Sequence, residues 1–281
     1  MGHDFDIEPR IKRRIILKEQ PMKKTIKQLA IAAVLIFAAA QFVTAAERDF
    51  YQIQVYRLNS KAQEAHTDNF LKMVYLPALH RAGIKTVGVF KPIPSDTISG
   101  NQIIVWLPLT SLEQLDKLQL TLSKDMAYQT AGADFLNAPF DNVPFQRKES
   151  ILLKAFPDAP SFFIPKHKTK PSERIYELRS YEGPAENLFR QKVKMFNEGG
   201  EIKLFKSLDF NAIFYAEVFS GSTMPNLMYL TTFADMAAHD AHWNAFRDHP
   251  EWKKLSALSE YQHTVSKSVK LLLYPTDYSD L

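Results

Sequence analysis

Apolar runs with strand-like alternation and longer amphipathic runs follow one another twice, in the same order, after residue 47. In the first half the pattern predicts helices near 63–81 and 111–130 and strands near 50–58, 84–92, 101–107 and 148–156. In the second half it predicts helices near 185–197 and 235–260 and strands near 174–181, 211–219, 226–233 and 267–274. Each half therefore has the order βαββαβ, which is typical of a ferredoxin-like fold with both helices on one sheet face.

Sequence matches between the halves support an internal repeat. Tyr51-Gln-Ile-Gln-Val-Tyr56 aligns with Tyr176-Glu-Leu-Arg-Ser-Tyr181, and the pairs Asn101/Asn226 and Ser150/Ser268 begin two further matches in the same order. Gly199-Gly200 and Pro250 are expected to interrupt the two helices of the second half. We therefore predict an α+β fold built of two tandem ferredoxin-like repeats, residues 47–156 and 173–281, joined by a proline-rich linker at 157–172.

Alternation along the strands places several polar residues on one face of each sheet. Tyr176 and Leu178 are expected to pack under the helices, and the opposite face, where the two sheets should meet, carries the candidate ligand-binding residues Glu177, Arg179, Tyr181, Tyr215 and Glu217, with Gln52, Gln54 and Tyr56 in the first half. Buried charges must be paired or hydrated. Two hypotheses follow: a polar cavity in which Arg179 binds an anionic or carbonyl group, or a structural ion pair that closes an interface.

The helix after the third strand of the second half carries the other titratable candidates. His239 and His242 share one face, and Asp235 precedes His239 by four residues. Asp/His spacing of this type can bind a metal, but no third histidine lies nearby except His249, beyond the expected turn, so we predict no metal. His239 is instead expected to be a hydrogen-bonded core histidine, with general acid–base catalysis as its reserve role.

An uncharged apolar run, residues 29–46, follows Lys23, Lys24 and Lys27 and has the parts of a secretory signal peptide. Cleavage is expected after Ala46, with Ala45 as the alternative. Met22 is then a candidate start, with residues 1–21 an upstream extension. A retained N-terminal anchor is the competing interpretation. With the leader removed, we expect a periplasmic or secreted protein with no stable membrane insertion.

The leader also accounts for the basic charge of the chain. The sequence has 281 residues, 35 Lys and Arg, 31 Asp and Glu, and no cysteine. The leader holds eight of the basic and four of the acidic residues, so 27 of each follow it. A neutral domain lacks the charge of a nucleic-acid binder, and the absence of cysteine excludes disulfides and thiolate chemistry. We find no nucleotide-binding glycine loop, serine-nucleophile motif or zinc-protease helix, and we predict no cofactor.

Three segments of the second half resemble the NIPSNAP family: 174–181, 224–229, and His242-Trp-Asn-Ala-Phe-Arg-Asp-His-Pro-Glu-Trp252, together with the closing 274–279. The first half matches only the strand framework and has Ala127-Tyr-Gln-Thr-Ala-Gly132 in place of the tryptophan-rich stretch. The resemblance implies a dimeric α/β barrel, formed here within one chain as a pseudo-symmetric barrel. Related barrels include monooxygenases and isomerases of small substrates, while NIPSNAP proteins themselves have no settled chemistry.

Two functional hypotheses follow. The first is an exported protein that binds a small organic molecule inside the barrel, with cofactor-independent catalysis left open. The second is a non-catalytic interaction or scaffold protein of the periplasm or cell surface. A cavity of several hundred Å³ beside Glu177 and Arg179 favours the first, and a filled interior favours the second. The sequence leaves the ligand and any homo-oligomeric state undetermined.

Overall fold

A computed structural model describes Met1 and residues 47–95 and 100–281. Its eight strands are β1 (Phe50–Arg57), β2 (Gly88–Pro92), β3 (Gln102–Leu109), β4 (Arg147–Ala155), β5 (Ile175–Glu182), β6 (Ala212–Ser220), β7 (Asn226–Phe233) and β8 (Lys267–Pro275). The helices of the first half are α1 (Lys61–Phe70), continued through a π-turn at Leu71–Tyr75 into α2 (Leu76–Arg81), then α3 (Leu112–Lys124), α4 (Met126–Ala131) and α5 (Ala133–Leu136). Those of the second half are α6 (Glu186–Phe196), α7 (Glu201–Ser207), α8 (Met236–Asp248) and α9 (Pro250–Ser256).

Local signals explain where the helices of the second half begin and end. Asp235 caps α8, because its carboxylate accepts a hydrogen bond from the Ala238 amide at 2.7 Å. Pro250 starts α9 after the cap His249 and so separates it from α8. Gly200, with φ of 87°, turns the chain between α6 and α7. Both predicted interruptions are therefore present, whereas the short helix α7 was not predicted.

The strands close into one antiparallel barrel in the order β1-β3-β2-β8-β5-β7-β6-β4. Each half contributes a four-stranded ferredoxin-like sheet, and the two sheets join where β2 pairs with β8 and β4 pairs with β6. The predicted α+β fold, two repeats forming a pseudo-symmetric barrel, is confirmed.

The barrel interior is filled by apolar side chains. Tyr176, Leu178 and their inward-facing counterparts from all eight strands form one cluster. The remaining void measures only about 10 Å³ and has an entirely apolar lining, roughly the space of one water molecule. Two further apolar clusters lie between the outer sheet faces and the helices of each half. No ligand cavity exists inside the described barrel.

The prediction that the polar stripe faces the barrel interior is wrong. Glu177 bonds to Trp243 of α8, and Tyr181 and Tyr215 pack in the cluster under the helices of the second half. Gln54 bonds to Tyr75, which precedes α2, so the stripe of the first half also faces helices. Alternation separates two faces but does not say which one is inward when both are buried. An eight-stranded barrel is narrow enough for side chains to fill, and here apolar residues occupy it.

The segment between the repeats crosses one end of the barrel. It has no helix or strand apart from a 3₁₀ turn at Pro171–Glu173. The amide of Phe163 donates to the Ile213 carbonyl at 2.9 Å, and the ring of Phe162 packs edge-on against Trp106 at 5.5 Å. The segment thereby covers apolar side chains at that end. The predicted leader lies outside the described residues, among which no helix is long and apolar enough to cross a membrane.

Candidate functional site

Glu177 and Arg179 lie on the outer face of β5 and form a buried ion pair beneath α8. Arg179 Nη2 and Nε donate to Glu177 Oε1 at 2.8 and 2.9 Å, and the two side chains are only 9% and 2% exposed. Arg179 Nη1 also donates to the Tyr181 hydroxyl at 3.2 Å. These bonds fix the guanidinium in one orientation.

Trp243 of α8 holds both members of this pair. Its indole Nε1 donates to Glu177 Oε2 at 2.6 Å, and the Arg179 guanidinium lies 3.5 Å from the centroid of its ring. This is a close cation–π contact in a buried place. Burial alone would raise the pKa of Glu177, but the nearby charges of His239 and Arg179, together with the hydrogen bonds from Arg179, outweigh it and lower the pKa. Glu177 is therefore held as a carboxylate.

His239 lies one helical turn before Trp243, between two carboxylates. Its Nδ1 is 2.8 Å from Asp240 Oδ1, and its Nε2 is 3.3 Å from Glu177 Oε2 without the alignment of a hydrogen bond. Burial lowers the pKa of His239, but the two carboxylates raise it by a larger amount, so the pKa lies above its usual value. The predicted core histidine is thus a buried, protonatable group beside Glu177.

A second buried ion pair lies on the α6 side of this network. Lys192 Nζ of α6 donates to Glu201 Oε2 at 2.8 Å and lies 4.7 Å from the ring centroid of Phe196. The Tyr181 and Tyr229 hydroxyls are 2.9 Å apart. Burial raises the pKa of Glu201 despite the charge of Lys192. The layer between the second sheet and its helices therefore contains two buried ion pairs and two hydrogen-bonded tyrosine hydroxyls.

Two adjoining pockets that share four lining residues lie beside these groups, and we refer to them together as a cleft with two lobes. One lobe, of about 460 Å³, is bordered by His239, by Ile93 and Ser95 after β2, and by Val269 and Leu272 of β8. The other, of about 320 Å³, is bordered by Tyr181, Lys192, Phe246 and Trp252. The residues common to both lobes are Arg179, Trp243, Arg247 and Lys270. Either volume falls in the range of small-molecule sites.

The cleft has an excess of positive charge. Five basic side chains, counting His239, line the two lobes against three acidic ones, Glu177, Glu201 and Asp240. Arg247 of α8 bonds to the neutral side chain of Asn244, and Lys270 lies opposite Arg179 in the β5–β8 register. Among the described residues neither cation is paired with a carboxylate. Such a surface attracts an anionic group.

The first half replaces these charges with neutral groups. At the positions of Glu177 and Arg179 it has Gln52 and Gln54, with Gln54 Nε2 donating to Gln52 Oε1 at 2.9 Å. Tyr56 donates to Gln54 Oε1 at 3.2 Å, and Gln54 Nε2 also donates to the Tyr75 hydroxyl at 2.9 Å. All of these groups are buried, and none of them borders either lobe of the cleft. The charged residues that line the cleft thus all belong to the second half.

The remaining predicted site residues are not brought into the cleft. Tyr215 is buried in the aromatic cluster, where burial raises its pKa. Glu217 points outward near the β4–β6 edge and pairs with Arg48 at 2.7 Å. A bulge between Ala212 and Phe214 turns Ile213 and Phe214 both toward the barrel, which leaves Tyr215 and Glu217 on the outer face.

The residues of α8 that were considered as metal ligands have other contacts in the structure. His239 and His242 both pack against the ring of Phe233, at 4.9 and 5.7 Å between ring centroids. The Asp235 carboxylate is engaged as the helix cap. Within residues 47–95 and 100–281, no group of three or more histidine or acidic side chains is placed to hold a metal ion.

Three important residues, Trp243, Arg247 and Lys270, were not predicted as site residues. His239, Trp243 and Arg247 are spaced by four along α8, so a helical stripe was available as a signal for two of them. Lys270 depends on the strand register of β8 against β5, which the sequence does not reveal.

Comparisons with known proteins show what the second half and the whole barrel are similar to. The NIPSNAP family profile matches residues 176–280, so the second half carries a NIPSNAP domain, and the predicted resemblance is confirmed. No curated protein matches the chain. A NIPSNAP-like domain protein from Burkholderia xenovorans is 19% identical, over 38% of this chain and 90% of its own, with a TM-score of 0.35.

Two solved structures resemble the whole barrel. A "putative monooxygenase" from Lactobacillus acidophilus is 11% identical, with a TM-score of 0.51 over 82% of this chain and 94% of its own. A second protein so described, from Fusobacterium nucleatum, is 8% identical, with a TM-score of 0.52 over 82% of this chain and 93% of its own. At these identities the likeness establishes the fold alone.

Proposed function

We propose that this protein binds a small organic anion in the two-lobed cleft on the outer face of the second sheet. The observation that carries the proposal concerns two cations, Arg247 and Lys270, which have no carboxylate partner among the described residues. Both border both lobes of the cleft beside the fixed guanidinium of Arg179. A concave site of this size with a few convergent polar groups is the usual form of a small-molecule site. The ligand therefore binds outside the barrel and not within it.

Preorganisation supports the proposal. The guanidinium of Arg179 is held by Glu177, Tyr181 and the indole of Trp243, so binding does not have to order it. Arg247 and Lys270 are exposed at the mouth of the cleft, where unpaired charge steers an anion inward. The neutral glutamine network in the first half supports one such site for each chain.

Catalysis by cofactor-independent proton transfer is a second candidate function, which one observation favours. His239 borders the larger lobe beside two carboxylates, and its imidazole can take a proton from a ligand as a general base and return a solvent-derived proton as a general acid. Acceleration of hydrogen exchange into a bound ligand, lost in His239→Gln but with ligand affinity kept, tests it.

Export is part of the proposal as well. The basic residues and the apolar run of 29–46 support a cleaved leader. N-terminal sequencing of the protein recovered from cell fractions tests this: a start at or next to Glu47 in the periplasm or medium is expected, whereas an intact N-terminus in the membrane fraction favours the anchor.

The scaffold hypothesis is favoured by the filled barrel interior, which removes the cavity first expected there. It differs from the binding proposal in requiring no ligand. Homo-oligomer formation is compatible with either hypothesis, and sedimentation of the purified protein measures it.

A thermal-shift titration with a panel of small carboxylates tests the binding proposal. We expect stabilisation that rises with anion concentration and weakens at high salt. The double variant Arg247→Gln/Lys270→Gln should lose this response, and Lys117→Gln, an exposed lysine of the first half, should keep it. An equal response of all three proteins would assign the effect to nonspecific charge and overturn the proposal.

A further inference from the structure

If the proposed cleft is the binding site, the environment of Arg179 indicates the shape of the ligand as well as the sign of its charge. One face of the guanidinium lies on the indole of Trp243, at 3.5 Å from the ring centroid. Its Nε and Nη2 are occupied by Glu177 and its Nη1 by Tyr181. Few N–H groups are left for a ligand, yet Arg179 borders both lobes.

A guanidinium with few free donors can still offer its flat surface. Guanidinium groups stack on π systems as well as pairing with carboxylates. Here the indole already supports one face, so a planar group on the other side would continue the stack. The charge-neutralising role then falls to Arg247 and Lys270, which have no carboxylate partner among the described residues.

The walls of the cleft agree with a flat apolar body. Phe246 and Trp252 of the smaller lobe pack against each other at 4.4 Å between ring centroids, and Trp252 is half-buried. Ile93, Val269 and Leu272 border the larger lobe. Apolar walls on both sides of a cationic junction suit a molecule whose body is apolar and whose charge is localised.

We infer that the ligand class is a planar, conjugated carboxylate, such as an aromatic acid, with its ring stacked on the guanidinium of Arg179 and its carboxylate between Arg247 and Lys270. The inference rests on the proposed function and narrows it. It assigns different tasks to the three cations: Arg179 selects for planarity, and the other two supply affinity for negative charge.

Isothermal titration of the full chain with matched ligands tests this division. The probes are 2-naphthoate, its saturated analogue decahydro-2-naphthoate, and neutral 2-naphthamide. We expect 2-naphthoate to bind about tenfold more tightly than the saturated acid, which corresponds to ~1.4 kcal/mol. The amide should bind at least about tenfold more weakly than 2-naphthoate.

Variants separate the two roles. Arg179→Lys keeps a positive charge beside Glu177 but removes the flat surface, so the aromatic and the saturated acid should bind this variant about equally. Lys270→Gln should weaken both acids equally and keep their ratio. Circular dichroism of each variant verifies folding.

The outcomes distinguish the inference from the proposal beneath it. If both acids bind the wild type equally, the planar-ligand inference is wrong and the anion site stands. If the preference survives Arg179→Lys, planarity is read elsewhere, and the assignment to Arg179 is overturned. If neither acid binds and no other carboxylate does, the proposed function itself fails.

Discussion

Neutralising one member of the Glu177–Arg179 pair should destabilise the protein more than neutralising both. Glu177 is 2% exposed and its partner side chain 9%, and removing one partner of such a pair leaves an uncompensated buried charge that costs about 3–5 kcal/mol. After Arg179→Gln, Glu177 keeps the indole donor at 2.6 Å, so we expect a loss near the lower end, about 3 kcal/mol.

The double variant Glu177→Gln/Arg179→Gln reproduces the network that the first half already contains. There Gln54 donates to Gln52 at 2.9 Å in an equally buried position. With two neutral amides, neither position carries a buried charge. The free energy of unfolding of the double variant should therefore lie within about 1 kcal/mol of that of the wild type. It should therefore be about 2 kcal/mol more stable than Arg179→Gln alone.

Urea unfolding followed by tryptophan fluorescence measures these differences. The matched control is the Arg48–Glu217 pair, whose side chains are 22% and 35% exposed and whose coupling should stay below about 1 kcal/mol. If Arg179→Gln and the double variant are equally destabilised, or if the coupling of the buried pair is no larger than that of the control, the reasoning from burial is refuted.

Three further predictions concern neighbouring groups. Because the folded-state pKa of His239 is raised, its stabilising contribution is complete below about pH 6.5 and is lost as the pH rises through the folded pKa. The difference in unfolding free energy between wild type and His239→Gln should therefore shrink as the pH rises through that value. A constant difference would contradict this prediction. Trp243→Phe keeps a ring but removes the donor to Glu177, so it should cost about 1.5–3 kcal/mol in urea unfolding, and a loss below about 0.5 kcal/mol would argue against the bond. Because burial raises the pKa of Glu201, Lys192→Met should lose stability steeply as the pH rises above about 4.5, where the unfolded glutamate ionises. The double variant Lys192→Met/Glu201→Gln should have a flatter dependence of unfolding free energy on pH. Parallel pH profiles of the two variants would refute the pairing.

Periodicity, glycine and proline predicted the architecture well because those signals act locally. Each strand predicted from alternation is present, and the breaks at Gly200 and Pro250 lie where the chain must turn. The internal repeat then restricted the fold to two sheets that cover each other. Only short elements such as α7, whose pattern extends over barely two turns, were missed.

Only part of the candidate site could be predicted from the sequence, and the reason is physical. Alternation grouped Glu177, Arg179 and Tyr181 correctly, but both faces of β5 are buried, so composition did not show which one meets the helices. The ion pair lies outside the filled barrel and beside a cleft, where its surroundings are open to water. Lys270 depended on strand register, which arises only on folding.

Native mass spectrometry of the protein purified gently from its own cells tests the central claim most directly. We predict one small anionic adduct for each chain, which is absent from Arg247→Gln/Lys270→Gln prepared in the same way and present in Lys117→Gln. An adduct of two molecules for each chain, or one that persists in Arg247→Gln/Lys270→Gln, would contradict a single anion site in the cleft of the second half.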